Sequence, residues 1–399
     1  MIDKLSNNKY IRKALLIIMI LLAAVSLMQG IRNAARDSQD FQWDAMKVFS
    51  LRINPYDESA SMNPTGIVKE LGYEDYYLQM EANQFPSLLM LLLPFAPFSP
   101  LMARYIWIAC NILFTILIVL LLRKTFLKEM DDYGFIILSL LMIAGTPYRN
   151  QIGVGQHTLF AFCFFLIAVY FSEYREKRSF IVTSIALFVC YFKYTLTVPL
   201  VLYFVYKKRY KEIIASVIPH AVLTAVGAWW LNDSFINMII KPLKVSSNLS
   251  GEGSFDLTVV FGGSAIAYVA ALIVMVILFI ISLKLPEGFD CSLMSMLTLW
   301  SMVITYHRIY DFFVMILVAG IFTELSLDDE GIKKLTKLNV SGLNYYYIIT
   351  MLFEFFVLRV FHESTASKFL VGTMYYALTL VITYILILLT KARGNYGKE

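Results

Sequence analysis

Charged side chains are scarce in this 399-residue sequence, in which Asp, Glu, Lys and Arg together make up 16%. Soluble domains contain about 25% charged residues, so the composition excludes an ordinary soluble enzyme. Apolar and aromatic residues instead reach 59%, enough for about a dozen helical spans at about 20 residues per crossing. The sequence therefore predicts an all-α polytopic membrane protein, folded as a single integral membrane domain over residues 1–399.

Motifs for cofactors and nucleic acids are also missing. The four cysteines lie inside apolar runs without a CxxC pair, so neither disulfides nor zinc are expected. Neither GxxxxGK[ST] nor GxGxxG occurs, so no nucleotide cofactor is expected. The net charge of +5 is spread over short loops, without the dense basic stripe that nucleic-acid binding requires. Membrane lipids, and not nucleic acid, are the expected surroundings.

Apolar runs divide the chain into twelve candidate spans and one shorter run. The candidate spans are 13–29, 102–122, 133–147, 155–171, 179–192, 194–206, 213–231, 261–283, 291–305, 311–325, 344–361 and 369–390. The shorter run, 85–98, contains three prolines and is expected to enter the membrane and return without crossing; the alternative is an additional span. Clusters of Lys and Arg mark the cytoplasmic side, and their positions place both termini there.

Two features of this topology point to chemistry on the outer face. Runs 179–192 and 194–206 lie between basic clusters and are short for crossings, so they predict a hairpin with Lys193 at its outer tip, lining a cavity. The outer loop 30–84 carries five basic against nine acidic residues. We therefore expect an extracytoplasmic active site that uses no nucleotide.

The outer loop supplies the candidate catalytic residues. Residues 37–52 have apolar side chains at helical spacing, which predicts an amphipathic helix lying at the outer interface. Asp40 and Asp44 fall on its polar face and are candidate catalytic carboxylates. The alternative is structural, with Asp40 in the first helical turn and Asp44 paired with Lys47. These acidic residues do not form a recognisable cation site, so no metal is expected.

Further candidates lie where apolar runs end on the outer side. Charged groups at membrane depth are costly and tend to mark a pathway or a site. The alternative is again structural, because polar groups at turns satisfy the backbone and a lysine can extend to the interface. The candidates for binding a donor phosphate or other parts of a substrate are Arg149, Gln156, His157, Lys193, His307, Arg308 and Asp311.

The order of these motifs resembles that of a known family. Asp40, Phe41 and Trp43 are followed by Asn54-Pro55-Tyr56, a pattern similar to the glycosyltransferase-C superfamily and, more narrowly, to glycosyltransferase family 87, the polyprenyl-phosphate-mannose-dependent mannosyltransferases. The Gly-Gln start of a later span matches Gly155-Gln156. The family's Tyr-Pro-Pro and Lys-Pro motifs are met only in part, by Gln84-Phe85-Pro86-Ser87 and Lys193, and its late His/Asp turn is similar to residues 307–311.

The resemblance implies an inverting transferase that moves a sugar, such as mannose, from a polyprenyl phosphate to an acceptor hydroxyl of a glycan or glycolipid. The family's catalytic aspartate corresponds to Asp40. A single displacement needs one general base and no second carboxylate nucleophile, with Asp44 as a positioning group or substitute base. The lipid-linked sugar is then the donor substrate, and no cofactor is needed.

Two other functions fit parts of the same sequence. A transporter or lipid flippase would use many spans and ionisable groups at membrane depth, but it predicts internal repeats, and 179–206 has no counterpart in the second half. A polysaccharide polymerase or ligase would also use lipid-linked sugars. Such an enzyme is expected to carry its large outer loop in the second half, whereas the largest here is 30–84.

Overall fold

A computed structural model describes most of the chain. The residues it describes are 8–38, 40–60, 82–174, 176–249, 256–261, 265–321, 379, 380, 383, 386 and 387. They form helices and turns, with no strand among them. The α-helices are α1 Lys9–Arg36, α2 Trp43–Ser50, α3 Pro55–Ala60, α4 Pro86–Leu92, α5 Pro100–Lys124, α6 Asp132–Ala144, α7 Thr146–Val154, α8 Thr158–Ser172, α9 Lys177–Cys190, α10 Tyr194–Leu200, α11 Leu202–Tyr206, α12 Tyr210–Trp230, α13 Asn237–Leu249, α14 Leu257–Val260, α15 Ala265–Lys284 and α16 Asp290–Ile304. Short 3₁₀ helices follow α4 and α9, and a longer one covers Ile309–Val318.

Five helical stretches in the described part are long and apolar enough to cross a membrane. They are α1, α5, Lys177–Leu200, α12 and α15. A sixth is the pair α7 and α8, bent by 109°. The surface of α15 that points away from the bundle is apolar, with Ile266 and Leu272 each more than 60% exposed. Such a surface is expected for a helix that faces lipid. Over the described residues, the prediction of an all-helical fold is confirmed, and these helices are consistent with the predicted membrane protein. Run 344–361 and most of 369–390 lie outside the described residues, so the number of twelve spans stays a prediction.

Ion pairs and ring contacts gather several helix ends at the end of the bundle where α1 begins, here called the N-terminal end. They join Arg12 to Asp131, Arg123 to Asp132, Lys124 to the Tyr170 ring, and Lys207 to both Glu173 and Asp290. The opposite end, where α1 finishes, is called the cavity end. There the guanidinium of Arg104 donates to the carbonyl of Arg36 at 2.7 Å, joining α5 to α1. The main apolar core lies between these two ends and includes residues of α5, α8, α16 and Ile309–Val318.

The chain reverses direction at Tyr191–Lys193. Glu173 precedes α9, yet its carboxylate lies 3.2 Å from Lys207, which follows α11. A straight helix over the intervening residues would separate these groups by about 50 Å at about 1.5 Å per residue. Although Lys177–Leu200 is long enough for one crossing, its two halves therefore run in opposite directions. This is the predicted hairpin, with Lys193 at its tip.

The segment that contains α4 starts and finishes at the cavity end. Gln84 lines the cavity described below, and the carbonyls of Phe95 and Ala96 accept hydrogen bonds from Trp43 and Lys47 of α2. Pro94 and Pro97 interrupt helical hydrogen bonding here, and the helix stops after seven residues. The chain thus passes through 85–98 without reaching the N-terminal end.

Helix α2 differs from the amphipathic helix predicted over 37–52. It begins at Trp43, so Asp40 lies in the turn before the helix and not on its polar face. Nearly all of α2 is buried, including Met46, Val48 and Phe49, because α3 and α4 pack on it. The expectation of an exposed polar face is therefore wrong for this segment, whereas its position at the outer membrane interface stays a prediction. Lys47 donates to the Ala96 carbonyl at 2.9 Å, so no ion pair forms with Asp44.

Candidate active site

A cavity of about 520 Å³ opens at the cavity end of the bundle. Its walls come from the turn before α2, the segment before α4, the α7–α8 break, the hairpin tip, helices α13 to α16 and the turn after α16. The polar and charged residues that line it are Asp40, Gln42, Asn83, Gln84, Gln156, Lys193, Tyr194, Thr195, Ser246, Asp256, Thr258, Tyr268, Thr305, Tyr306, Arg308 and Tyr310. A volume of this size suits a sugar-sized ligand with part of its attached group.

Asp40 is held by the break between α7 and α8. Its backbone N–H donates to the carbonyl of Val154 at 2.8 Å. Gly155, which follows Val154, has φ +68°. A Cβ on Gly155 would lie 3.1 Å from the Cβ of Ser38 and 3.3 Å from the Cβ of Phe41. Glycine is thus required both by the left-handed backbone and by the close approach of the Asp40 turn. The structure therefore explains why the first residue of the Gly155-Gln156 motif is glycine.

The carboxylate of Asp40 belongs to a three-residue hydrogen-bond network. Gln156 Nε2 donates to Asp40 Oδ2 at 3.2 Å and to the hydroxyl of Tyr310 at 3.0 Å, and Tyr310 is itself hydrogen-bonded to Asp40. The side chain is half-buried, with a face on the cavity. Burial raises the pKa of Asp40 to about 6, against the opposing effect of Lys193 and Arg308. A carboxylate with such a pKa can accept a proton near neutral pH.

A second carboxylate, Asp311, is fully buried behind the cavity wall. Its Oδ1 lies 3.5 Å from Lys193 Nζ and also accepts from the Thr158 hydroxyl. Its Oδ2 lies 3.0 Å from His307 Nδ1 and accepts from the backbone N–H of Arg308 at 3.3 Å. All of these groups can donate, so Asp311 has no spare capacity for substrate. Asp311 acts as an anchor that positions Lys193 and the turn carrying Arg308.

Two cations face the cavity near Asp40. Lys193 Nζ lies 5.4 Å from the ring centre of Tyr310, which places it between the buried anchor and the cavity. Arg308 donates to the hydroxyl of Tyr306 and interacts electrostatically with Asp40. Two cations beside one carboxylate are suited to hold a phosphate while the carboxylate accepts a proton.

His157 is buried and supports the site from behind. Its Nε2 lies 3.1 Å from the Phe41 carbonyl, and its ring packs 4.5 Å from that of Phe192. It therefore links the turn of Asp40 to the hairpin tip and does not line the cavity. His307 is also fully buried, between Thr305 and Asp311. Both histidines are placed to position other residues, not to contact a phosphate.

Two predicted site residues lie away from the cavity. Asp44 is 2% exposed on α2 and faces Arg104. Burial raises its pKa to about 7, but it does not line the cavity. Arg149 lies on α7, where its guanidinium approaches Asn150 and Gln29 at 3.4 Å each. The structure thus brings together Asp40, Gln156, His157, Lys193, His307, Arg308 and Asp311, but not Asp44 or Arg149.

Sequence reasoning missed several polar members of the site. Tyr306 and Tyr310 occupy the turn that supplied His307, Arg308 and Asp311, but their hydroxyls were not predicted to contact the candidate catalytic groups. One signal in the sequence could have identified Tyr310. It is the neighbour of Asp311, in a turn already selected for its charged residues. Among the described residues, no group of three or more His, Cys, Asp or Glu side chains is placed to hold a metal ion.

The fold and this cavity define a membrane-embedded, all-helical protein with a polar chamber at one end of the bundle. The sequence model of glycosyltransferase family 87 matches residues 86–305, more than half of the chain. The chain therefore belongs to glycosyltransferase family 87, which confirms the suspected resemblance. Gln156 and Lys193 lie inside the matched range, whereas Asp40 precedes it and Arg308 follows it. Comparisons with curated proteins and with solved structures gave no significant match.

Proposed function

We propose that this glycosyltransferase moves a sugar, such as mannose, from a polyprenyl phosphate to the hydroxyl of a glycan or glycolipid acceptor, with inversion. The observation that carries the proposal is the half-buried Asp40 carboxylate facing a cavity beside Lys193 and Arg308. A proton acceptor and a pair of cations in one cavity are what displacement of a phosphate by a hydroxyl requires.

In this mechanism, Asp40 takes the proton of the acceptor hydroxyl as its oxygen attacks the anomeric carbon. The bond between that carbon and the phosphate oxygen breaks, and its electron pair leaves with the phosphate. Lys193 and Arg308 stabilise the phosphate charge, so the leaving group needs no proton donor. Gln156 and Tyr310 hold Asp40 in position through the hydrogen bonds described above.

The polarity of the bundle supports an extracytoplasmic site. The short-loop clusters Lys177-Arg178 and Lys207-Lys208-Arg209 follow α8 and α11, whose ends meet at the N-terminal end of the bundle. Lys and Arg in short loops favour the cytoplasmic side. The cavity lies at the opposite end and would therefore face away from the cytoplasm, with both termini cytoplasmic.

The direct test is substitution of Asp40 by Asn. We expect Asp40→Asn to remain folded and membrane-inserted but to lose at least about 100-fold in transfer rate, the usual contribution of a general base. Membranes containing each variant are incubated with radiolabelled polyprenyl-phosphate mannose, and label is followed into acceptor material. A matched control is Asp57→Asn, which neutralises an exposed carboxylate that is paired with Lys241 outside the cavity.

Near-normal transfer by Asp40→Asn would remove this residue from the mechanism. A labelled nucleotide sugar, offered in place of the lipid-linked donor, tests the donor class. We expect no transfer from it, and transfer from the nucleotide sugar alone would contradict a lipid-phosphate donor.

A further inference from the structure

A second group of cavity residues carries unsatisfied hydrogen-bond acceptors. Asp256 is 2% exposed and Gln84 is 6% exposed, and both line the cavity. Among the described residues, Asp256 Oδ2 and Gln84 Oε1 have no hydrogen-bond partner. A buried acceptor without a donor is costly. The cavity beside them is where a donor could be supplied.

The local structure explains why only one oxygen of Asp256 is used. Oδ1 accepts from the backbone N–H of Thr258 at 2.7 Å and also from the Thr258 hydroxyl. This arrangement caps α14 and fixes the side chain at the cavity wall. Oδ2 takes no part in the cap, so the capping function does not account for it.

Gln84 shows the same pattern. Its side-chain Nε2 donates to Asn83 Oδ1 at 3.3 Å, and its backbone carbonyl accepts from the Tyr56 hydroxyl at 2.7 Å. These hydrogen bonds fix the position of Gln84, but neither of them involves Oε1. Ser246 and Tyr194 line the cavity close to Gln84. The Ser246 hydroxyl lies 3.5 Å from the backbone carbonyl of Asn83, the residue before Gln84, and 3.4 Å from the Tyr194 hydroxyl.

Both unsatisfied atoms are acceptors, and this restricts the chemistry of the ligand. A phosphate at neutral pH presents mainly acceptor oxygens, so it suits Lys193 and Arg308 but cannot satisfy Asp256 or Gln84. A sugar hydroxyl can donate to either atom. The cavity therefore combines groups suited to a phosphate with groups suited to hydroxyls.

We propose that Asp256 and Gln84 form a hydroxyl-binding subsite that recognises a pyranose ring in the cavity. This inference rests on the proposed function and adds the residues that select the sugar portion of a substrate. The ring could belong to the donor sugar or to the acceptor glycan, because both present vicinal hydroxyls. Asp256 and Gln84 are specificity residues in this scheme and take no part in bond breaking.

The substitution Asp256→Asn tests the Oδ2 acceptor separately from the helix cap that Oδ1 forms. Asn caps helices about as well as Asp, so the bond to Thr258 can be kept while an amide donor replaces Oδ2. The matched control is Asp131→Asn, which makes the same exchange at the cap of α6 at the N-terminal end. Gln84→Glu keeps an acceptor at the second position, whereas Gln84→Leu removes it.

Binding is measured with purified protein in lipid nanodiscs, using polyprenyl-phosphate mannose, bare polyprenyl phosphate and a soluble mannose disaccharide. We expect Asp256→Asn and Gln84→Leu to lose at least about tenfold in affinity for a sugar-bearing ligand, the scale of one hydrogen bond to a buried acceptor. Binding of bare polyprenyl phosphate should not change. Asp131→Asn and Gln84→Glu should bind the sugar-bearing ligands within about threefold of the wild type.

The pattern of losses identifies the ring that is bound. A loss confined to polyprenyl-phosphate mannose assigns the subsite to the donor sugar, and a loss confined to the disaccharide assigns it to the acceptor. Wild-type affinity of both Asp256→Asn and Gln84→Leu for all three ligands would overturn the subsite but leave the proposed function standing. A wild-type protein that binds neither polyprenyl ligand would contradict the proposed function, and this inference with it.

Discussion

Two carboxylates in the candidate site have opposite surroundings and are, for that reason, suited to different roles. Asp311 is fully buried and is surrounded by donors from Lys193, His307 and Thr158. Asp40 is half-buried, accepts from Gln156 and keeps a face on the cavity. A carboxylate that is already saturated is suited to positioning, whereas one with spare lone pairs can accept a proton from a substrate. Charge alone, as seen in the sequence, does not separate these two cases.

The pKa of Asp40 predicts how transfer depends on pH. The base must be deprotonated to act, and burial raises its pKa to about 6. We expect kcat/KM to be nearly constant above pH 7 and to fall about tenfold per pH unit below pH 6. The measurement is a pH profile of transfer at subsaturating donor. A profile that stays flat between pH 7 and pH 5 would contradict Asp40 as the base.

Arg308 provides a second test at the residue scale. Arg308→Gln removes a cation from the cavity while keeping a polar side chain, and we expect kcat/KM for the lipid-phosphate donor to fall at least about tenfold because one charged hydrogen bond to phosphate is lost. Arg52→Gln is the control, since Arg52 stacks on Trp230 outside the cavity. Equal effects of the two changes would rule out a specific role for Arg308.

The break between α7 and α8 is the element that assembles the site. The chain turns by 109° there, and this exposes the Val154 carbonyl to the backbone of Asp40. Gln156, one residue past Gly155, then reaches both Asp40 and Tyr310. A continuous helix would have used the Val154 carbonyl internally, so the bend is what allows the outer loop to dock.

Gly155→Ala tests this role. A Cβ would be strained at φ +68° and would press on Ser38 and Phe41, so we expect a loss of about 1 kcal/mol or more in stability and a marked loss of transfer per folded molecule. Gly288→Ala is the matched control, because Gly288 also has a positive φ, +94°, but lies at the N-terminal end beside Asp290. Thermal unfolding in detergent and transfer assays separate the two effects. Full activity per folded molecule in Gly155→Ala would show that the turn of Asp40 tolerates displacement.

At the scale of the whole molecule, the ends of the bundle differ in what they carry. The N-terminal end is held by ion pairs such as Lys207 with Asp290 at 2.5 Å, and it carries the short-loop basic clusters. The cavity end carries the candidate site and the described parts of the predicted acidic loop, residues 40–60 and 82–84. In the proposed function, this division would let the lipid-linked donor meet its acceptor on one side of the membrane only.

Cysteine labelling tests the orientation. With the native cysteines replaced by alanine, Ser234→Cys places a thiol in an exposed turn at the cavity end, and Arg178→Cys places one in an exposed position at the other end. We expect a membrane-impermeant maleimide to label Ser234→Cys in intact cells, and Arg178→Cys only after permeabilisation. The reverse pattern would place the cavity in the cytoplasm.

Composition and charge pattern were sufficient to predict the class of fold, the reversal at Lys193 and most of the residues that meet in the site. These features depend on local chemistry, because long apolar runs must be helical in lipid and a charge at membrane depth needs a reason to be there. Asp40 and Asp44 were both candidates in the outer loop, and the family resemblance selected Asp40, whose position beside two cations agrees with that choice.

The tertiary structure alone decided which candidates face one cavity. Asp44 and Arg149 have the same charges as Asp40 and Arg308, but α2 turns Asp44 toward Arg104, and α7 places Arg149 beside Gln29. The contacts of Tyr310 and Gln84 also join residues 154 and 28 positions apart in the chain, and Asp256 lines the same cavity from a third segment. Sequence spacing reports neighbours along a helix, whereas convergence of distant segments depends on how the helices pack.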